Sequence, residues 1–238
     1  MEKYRSKIEL HNIDCMEFMK TCKDNQFDLA IVDPEYGRNQ DGGINRSGFV
    51  TQKNGKKLFV EKGNHYKKKK WDKKPADDSY FKELIRVSKN QIIFGCNYYN
   101  IILGKGRIVW DKCNGDSDQS GCELIYNSIN ERVDLIRYMW SGMMQGKSIT
   151  QGHIMQGNKK LNEVRIHPTQ KPVILYKWIL DKYAEKGQSI LDTHFGSLSI
   201  GLACDELRFD LTACELDKDY FEAGKKRLDL ARRQTSLF

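Results

Sequence analysis

Hydrophobic and polar positions change period repeatedly along the chain, and each change marks an element. Residues 7–13 alternate, Lys-Ile-Glu-Leu-His-Asn-Ile, as a half-buried strand does. Asp14 follows in the N-cap position of an amphipathic helix over 15–22. Residues 27–32 form an apolar run rich in β-formers, closed by Asp33-Pro34, which reads as a buried parallel strand that stops abruptly. Helical spacing returns over 75–89, where Tyr80, Phe81, Leu84, Ile85 and Val87 make an apolar face. Strands are expected at 91–95, 108–110, 123–129 and 133–140. A helix at 172–183, a strand at 189–192, a helix at 197–206, a strand at 211–215 and a basic helix at 218–233 complete the chain. This β–α succession, without internal repeat, predicts an α/β protein with a doubly wound sheet and one domain over 1–238.

Two stretches break the pattern. Residues 37–75 carry glycines at 37, 42, 43, 48, 55 and 63, many lysines and little periodicity. A loop of this length in a compact domain is usually functional or disordered, and a mobile basic loop is expected. Residues 141–166, rich in Gly, Gln, Met and Asn, are expected to form an irregular insertion.

Composition narrows the class. With 39% hydrophobic and 11% aromatic residues the chain can build a core and is not of the disordered type. No apolar run is long enough to span a membrane, and the first residues lack the apolar core of a signal peptide. Seven cysteines, at 15, 22, 96, 113, 122, 204 and 214, include no C-x-x-C pair, and the odd count argues against a disulfide framework. They read as reduced thiols of a cytoplasmic protein, with no metal site. The net charge is +8, yet residues 38–74 alone hold 12 lysines and arginines against the three acids Asp41, Glu61 and Asp72. One segment carries the whole excess, which points to a local polyanion contact.

The chemistry-bearing residues lie at predicted strand ends. Asp33-Pro34-Glu35-Tyr36 follows the apolar strand, and open α/β sheets bind ligands just beyond the carboxyl ends of strands. For an isolated Asp-Pro-x-Tyr, an ordinary turn with a surface tyrosine is the favoured reading. Residues 189–215 read as strand, tight turn, helix, strand and acid, with Asp192-Thr193-His194-Phe195-Gly196-Ser197 as the turn. It is neither a full G-x-G-x-x-G nor a P-loop. A turn with fewer glycines suits a nucleoside cofactor without a pyrophosphate, and Glu215 is placed to accept ribose hydroxyls. The plain alternative is a glycine turn that only packs a helix. Between these halves, His167-Pro168-Thr169-Gln170-Lys171-Pro172 specifies a rigid helix entry. Lys171 is poorly placed for the helix dipole, which suggests that it serves a ligand or a neighbouring carboxylate.

Taken together, these segments make the chain resemble the S-adenosylmethionine-dependent DNA amino-methyltransferases, in the permuted group whose catalytic motif precedes the cofactor motif. The resemblance spans nearly the whole chain. Asp33-Pro34-Glu35-Tyr36 is similar to the family's Asp-Pro-Pro-Tyr, Asp192–Ser197 to its Asp-Pro-Phe-x-Gly-Ser-Gly, and His167–Pro172 is the most specific piece. Trp110-Asp111-Lys112 with Asn114-Gly115 also resembles phage-type and solitary members. Glu35 and Thr193 stand where proline is usual, and Leu198 replaces a loop glycine.

The resemblance implies a Rossmann-like fold and methyl transfer from S-adenosyl-L-methionine to N6 of an adenine flipped out of double-stranded DNA. Asp33 and the Pro34 carbonyl would accept the amine hydrogens, Tyr36 would stack on the base, and Glu35 would cost loop rigidity. It assigns Asp192, Phe195, Gly196 and Ser197 to the methionine end of the cofactor, Glu215 to its ribose and Asp14 to its adenine. Thr169, Gln170 and Lys171 would approach its carboxylate. For Asp14 alone, an N-cap is as good a reading. Lys67, Lys68, Lys69 and Lys70 with Trp71 are the candidate nucleic-acid contacts, a lid combining charge and stacking, although a lysine run is usually a solvated face. Residues 141–166 are the candidate target reader, short enough to imply a short site or help from a second subunit in a homodimer. Cytosine N4 or RNA are the competing substrates, and Asp33 in place of serine favours adenine. A silent cofactor- and DNA-binding protein is the competing class, while a nicotinamide enzyme lacks its fingerprint glycines.

Overall fold

The computed structural model describes residues 6–42, 48–51, 55–60, 66–115, 120–141 and 144–235. In chain order the elements are β1 (Ile8–His11), α1 (Cys15–Thr21), β2 (Phe27–Val32), β3 (Gly48–Thr51), β4 (Lys57–Val60), α2 (Asp78–Val87), β5 (Ser88–Phe94) and β6 (Arg107–Asp111). There follow β7 (Cys122–Asn127), β8 (Val133–Arg137), β9 (Trp140–Ser141), β10 (Met144–Gln145), α3 (Val173–Tyr183), β11 (Ser189–Asp192), α4 (Ser199–Leu207), β12 (Asp210–Cys214) and α5 (Lys218–Thr235).

Eight strands form one sheet in the order β1-β12-β11-β2-β5-β7-β6-β8. The first five run parallel, and β7 enters antiparallel between β5 and β6. The central strands β2 and β11 and the second half of β5 are buried on both faces, which is why they read as apolar runs, whereas β1 at the edge is only partly buried and alternates. In β2, Leu29 and Ile31 belong to the core shared with α3, α4 and α5, whereas Ala30 and Val32 belong to the core shared with α1 and α2.

This division sets the position of the site. From β11 the chain crosses through α4 to β12 on one side, and from β2 it crosses through α2 to β5 on the other. The adjacent strands β11 and β2 therefore diverge, and a crevice opens beyond their carboxyl ends, at Asp192 and Asp33.

The expected strands and helices are present, with instructive differences. β5 begins at Ser88, directly after α2, because Ser88-Lys89-Asn90 has no glycine or proline to mark the change. The run expected as one strand over 133–140 is divided into β8 and β9. Within 37–75 an antiparallel hairpin, β3 with β4, and a bridge between Tyr36 and Pro75 replace the expected lack of structure. Asp72, 3% exposed, accepts hydrogen bonds from the backbone N–H of Tyr36, Gly37 and Gln40, so the end of this segment is tied to the turn after β2. The expected mobile lid extends over residues 43–47, 52–54 and 61–65, which lie outside the described residues. Among the described residues no helix is long and apolar enough to cross a membrane.

Leu198 sits at φ 57° just before α4, the left-handed region that leucine adopts at a cost. Its side chain is fully buried and does not line the crevice; a Cβ added at Gly201 would stand 2.6 Å from its Cγ. The missing glycine is thus exchanged for core packing. Leu198→Gly is expected to relieve strain but lose more in burial, a net destabilisation of roughly 1–3 kcal/mol. Urea unfolding checks this, and a stabilised variant would show that the leucine is merely tolerated.

Candidate active site

A cavity of about 510 Å³ lies beyond the ends of β1, β2, β11 and β12. Its wall includes Asp14, Asp33, Glu35, Lys69, Lys70, Trp71, Thr169, Gln170, Lys171, Phe195, Gly196, Ser197 and Glu215. These residues come from six separate stretches of sequence. Pro34, Tyr36 and Asp192 lie behind the wall, and Lys67 and Lys68 stand exposed outside it.

On the cofactor side, Glu215 closes the turn that carries Gly196. Its Oε2 accepts from Gly196 N at 2.9 Å and its Oε1 from Asp217 N at 2.8 Å. Burial raises its carboxyl, against those two bonds. Asp192 is 1% exposed and accepts from His194 N at 3.0 Å; burial pushes it up to about 7. Asp14 caps α1 through Met16 N and Glu17 N while also lining the cavity. Phe195 packs on Phe221 and reaches the cavity only in part, being 4% exposed.

The helix entry divides its labour. Thr169 Oγ1 lies 3.2 Å from His167 Nδ1, and the His167 ring is stacked on Trp71 and edge-on to Tyr220. Burial, with Lys171 nearby, pushes His167 down to about 3, so it is a neutral spacer near pH 7. Gln170 donates to Glu163 and accepts from Ile166 N, which anchors the 141–166 insertion. Glu163 also receives Arg227 of α5 and the N–H of Val173.

Lys171 turns inward to the catalytic motif. Its Nζ is 2.8 Å from Asp33 Oδ2, 3.1 Å from Glu123 Oε1 and 3.3 Å from the Tyr36 hydroxyl. That hydroxyl lies 2.5 Å from Asp33 Oδ1 and 2.7 Å from Glu123 Oε1. Lys112 adds a second ion pair to Glu123 at 2.9 Å, and Tyr99 donates to the Pro34 carbonyl at 2.9 Å. Burial raises both carboxyls. Two lysines overcome it at Glu123, which is pulled down to about 2, whereas at Asp33 burial prevails over Lys171 and the carboxyl stays raised. The Tyr36 ring is stacked on Tyr98, at 4.9 Å and 20°, with Arg38 on the far side of Tyr98.

Sequence reasoning missed Glu123, His194, Cys15 and Tyr99. Glu123 left a trace: it occupies the inward phase of β7, in register with Ile125, where an acid needs a buried cation. Of the lysine run, Lys69 is not a surface charge, for it is paired with Asp217 and Asp219 at 2.9 and 2.6 Å.

Residues 119–226 match the family model described as DNA methylase, of the N6/N4 type. The chain is 24% identical, over 94% of its length and 91% of the relative's, to the type II methyltransferase M2.DpnII of Streptococcus pneumoniae. These matches support an S-adenosylmethionine-dependent DNA amino-methyltransferase. Two solved methylase structures share its fold. One is the M1.HpyAVI–SAM complex, with a TM-score of 0.53 at 18% identity, covering 93% of this chain and 100% of the other. The second is the cytosine-N4-specific PvuII methyltransferase, with 0.52 at 11% identity, covering 96% of this chain and 93% of the other. The acid of the catalytic motif and the glycine turn, both expected from the sequence at strand ends, are brought to one cavity.

Lys171→Met should leave two buried carboxylates without their shared cation, and is expected to destabilise the fold by roughly 3–5 kcal/mol at neutral pH. Glu123, held low, contributes stability above its unfolded value near 4, and that contribution is lost toward pH 2. The gap between parent and variant should therefore narrow on acidification. Urea unfolding across pH reads this, and a constant gap would mean that Lys171 acts by packing alone.

Proposed function

We propose that the chain transfers the methyl group of S-adenosyl-L-methionine to N6 of adenine in DNA. The observation that carries this reading is that Asp33 shares one cavity, at the divergence of β2 and β11, with the cofactor-side residues Asp14, Gly196 and Glu215. That donor set fits the cofactor. Acids beyond β1 and β12 suit an adenine amine and ribose hydroxyls, the glycine turn admits a close approach, and Asp192, Phe195 and Ser197 would hold the methionine end. Thr169, Gln170 and Lys171 also line the cavity. When bound, S-adenosyl-L-methionine supplies a methyl already activated on a sulfonium, so the protein needs no strong base.

The exocyclic amine is a poor nucleophile because its lone pair is delocalised into the ring. Acceptors for its two N–H groups favour a tetrahedral nitrogen and orient it. Asp33 and the Pro34 carbonyl are those acceptors, and Asp33, raised by burial, also takes the proton that the methylated nitrogen must lose. Both Asp33 oxygens are engaged by Lys171 and Tyr36, and both partners already touch Glu123. Glu123 is the reserve acceptor that receives them when the base arrives. Tyr36 stacks the base in the place that Tyr98 fills. Lys67, Lys68 and Lys70, exposed beside the cavity, meet phosphates, whereas Lys69 fastens their segment to α5. The 141–166 insertion reads the target, and Asp33 in the place of serine favours adenine over cytosine.

Asp33→Ala is expected to lower methyl transfer by about 10²-fold or more while leaving cofactor affinity within a few-fold, since the acceptor it removes acts mainly in the transition state. Labelled methyl counted in digested nucleosides, beside calorimetry with the cofactor, reads both. Label in cytosine would move the substrate to N4 of that base, and label in RNA alone would move it out of DNA. No label in any nucleic acid, with Asp33→Ala silent, would end the enzymatic reading. Neutralising Lys67, Lys68 and Lys70 should flatten the slope of log affinity against log salt by roughly 0.9 for each phosphate no longer neutralised; an unchanged slope would make them solvated surface.

A further inference from the structure

Three of the positions at which this chain leaves the family's pattern meet in space. Glu35 stands for the second proline of the catalytic motif, Thr193 for the proline of the cofactor turn, and His194 for the phenylalanine after it. His194 Nε2 lies 3.4 Å from Glu35 Oε2 and 3.6 Å from Cys15 Sγ. His194 Nδ1 lies 2.9 Å from Thr193 Oγ1, which lies 2.6 Å from the Tyr80 hydroxyl. The imidazole is edge-on to the Tyr80 ring, with centroids 5.3 Å apart. The Glu35 and His194 side chains are 28% and 20% exposed, and both line the cavity.

We propose that Glu35 and His194 act as one unit, an ion pair that fastens the catalytic turn to the cofactor loop and positions the two for transfer. This rests on the functional reading above. Proline limits a turn by removing backbone freedom. A carboxylate and an imidazolium on the turns after the adjacent strands β2 and β11 limit it by a tie between the two turns. The second ring nitrogen is fixed through Thr193 to Tyr80 of α2, which sets the ring plane. The pair also neutralises Glu35, which would otherwise add a third carboxylate to the neighbourhood of Asp33 and Asp192. Around His194 stand the carboxylates of Glu35 and Asp192, the Cys15 thiol from α1 and the Tyr80 hydroxyl from α2. Burial lowers the imidazole, but these acids and the Cys15 thiol reverse that and hold it well above its ordinary value. The tie is therefore lost as pH rises through the raised value.

The test has two arms. Imidazole resonances are followed by NMR against pH, with His194→Phe identifying the signal. Glu35→Gln should lower the His194 proton affinity by about tenfold, and an unmoved midpoint overturns the ion pair. In methyl transfer, Glu35→Pro and His194→Phe should each cut kcat by roughly tenfold with little change in cofactor affinity, and the double variant should lose far less than the product of the two. The parent's kcat should fall on the alkaline side at the His194 midpoint, a fall missing from the double variant. Losses that multiply, with unchanged pH profiles, overturn the positioning role. A parent that methylates no DNA at all fails the functional reading and with it the positioning role, while the NMR midpoint still decides the ion pair.

Discussion

The arrangement around the cavity depends on one buried cation. Lys171 is 7% exposed and stands between Asp33, 15% exposed, and Glu123, 7% exposed. Taking such charges out of water costs several kcal/mol each, and only close, multiple contacts offset it. The contacts are there: two carboxylates, a tyrosine hydroxyl and the faces of Tyr36 and Phe94 surround the ammonium. No local sequence preference would gather these groups. They come from the end of β2, from β7 and from the entry to α3, so the ion cluster holds together three parts of the chain that are remote in sequence. Lys112 makes the cluster asymmetric. With two cations near Glu123 and one near Asp33, the charge resides at Glu123, and Asp33 is left as the carboxyl more ready to hold a proton.

A second hub lies behind the helix entry. Glu163 receives Gln170, Arg227 and the first N–H of α3, joining the irregular insertion to α5 and α3. The segment 141–166 is thus anchored at its end although it has little regular structure. Asp72 does the same for the basic segment, returning it to the turn after β2 through three backbone N–H groups. Each irregular stretch ends on a buried or half-buried acid that satisfies donors the regular elements leave open.

Much of this is legible in the chain. Strands buried on both faces announce themselves as apolar runs, and Asp33 and Asp192 are legible as acids that terminate such runs. The dipole argument at Lys171 points to a ligand or a carboxylate partner but cannot say which, because sheet pairing brings Glu123 there from a remote part of the chain. Leu198 looks from the motif like a side chain crowding the cofactor loop, since a motif comparison registers the missing glycine and not the direction of what replaces it. The β3–β4 hairpin is hidden by lysines and glycines that weaken its alternation. The basic excess looks like free charge, whereas Lys69 is consumed within the fold by two acids of the α5 entry. Composition counts charges; it does not show which of them are already paired.

The catalytic turn illustrates how a motif can lose a proline and keep its shape. Asp33 is held from one side by Lys171 and Tyr36, the Pro34 carbonyl from another by Tyr99, the Glu35 carbonyl by Ala76 N, and the N–H of Tyr36 by Asp72. Every residue of the tetrad is therefore tied by a polar contact to a different part of the chain. A second proline would supply stiffness through one torsion and would need none of these partners. Here stiffness is distributed over contacts, several of them charged, so it depends on protonation in a way that a proline ring does not. The side chain that stands in the proline's place, Glu35, lies 3.4 Å from His194, whereas the Lys171 cluster acts on the turn through Asp33 and Tyr36.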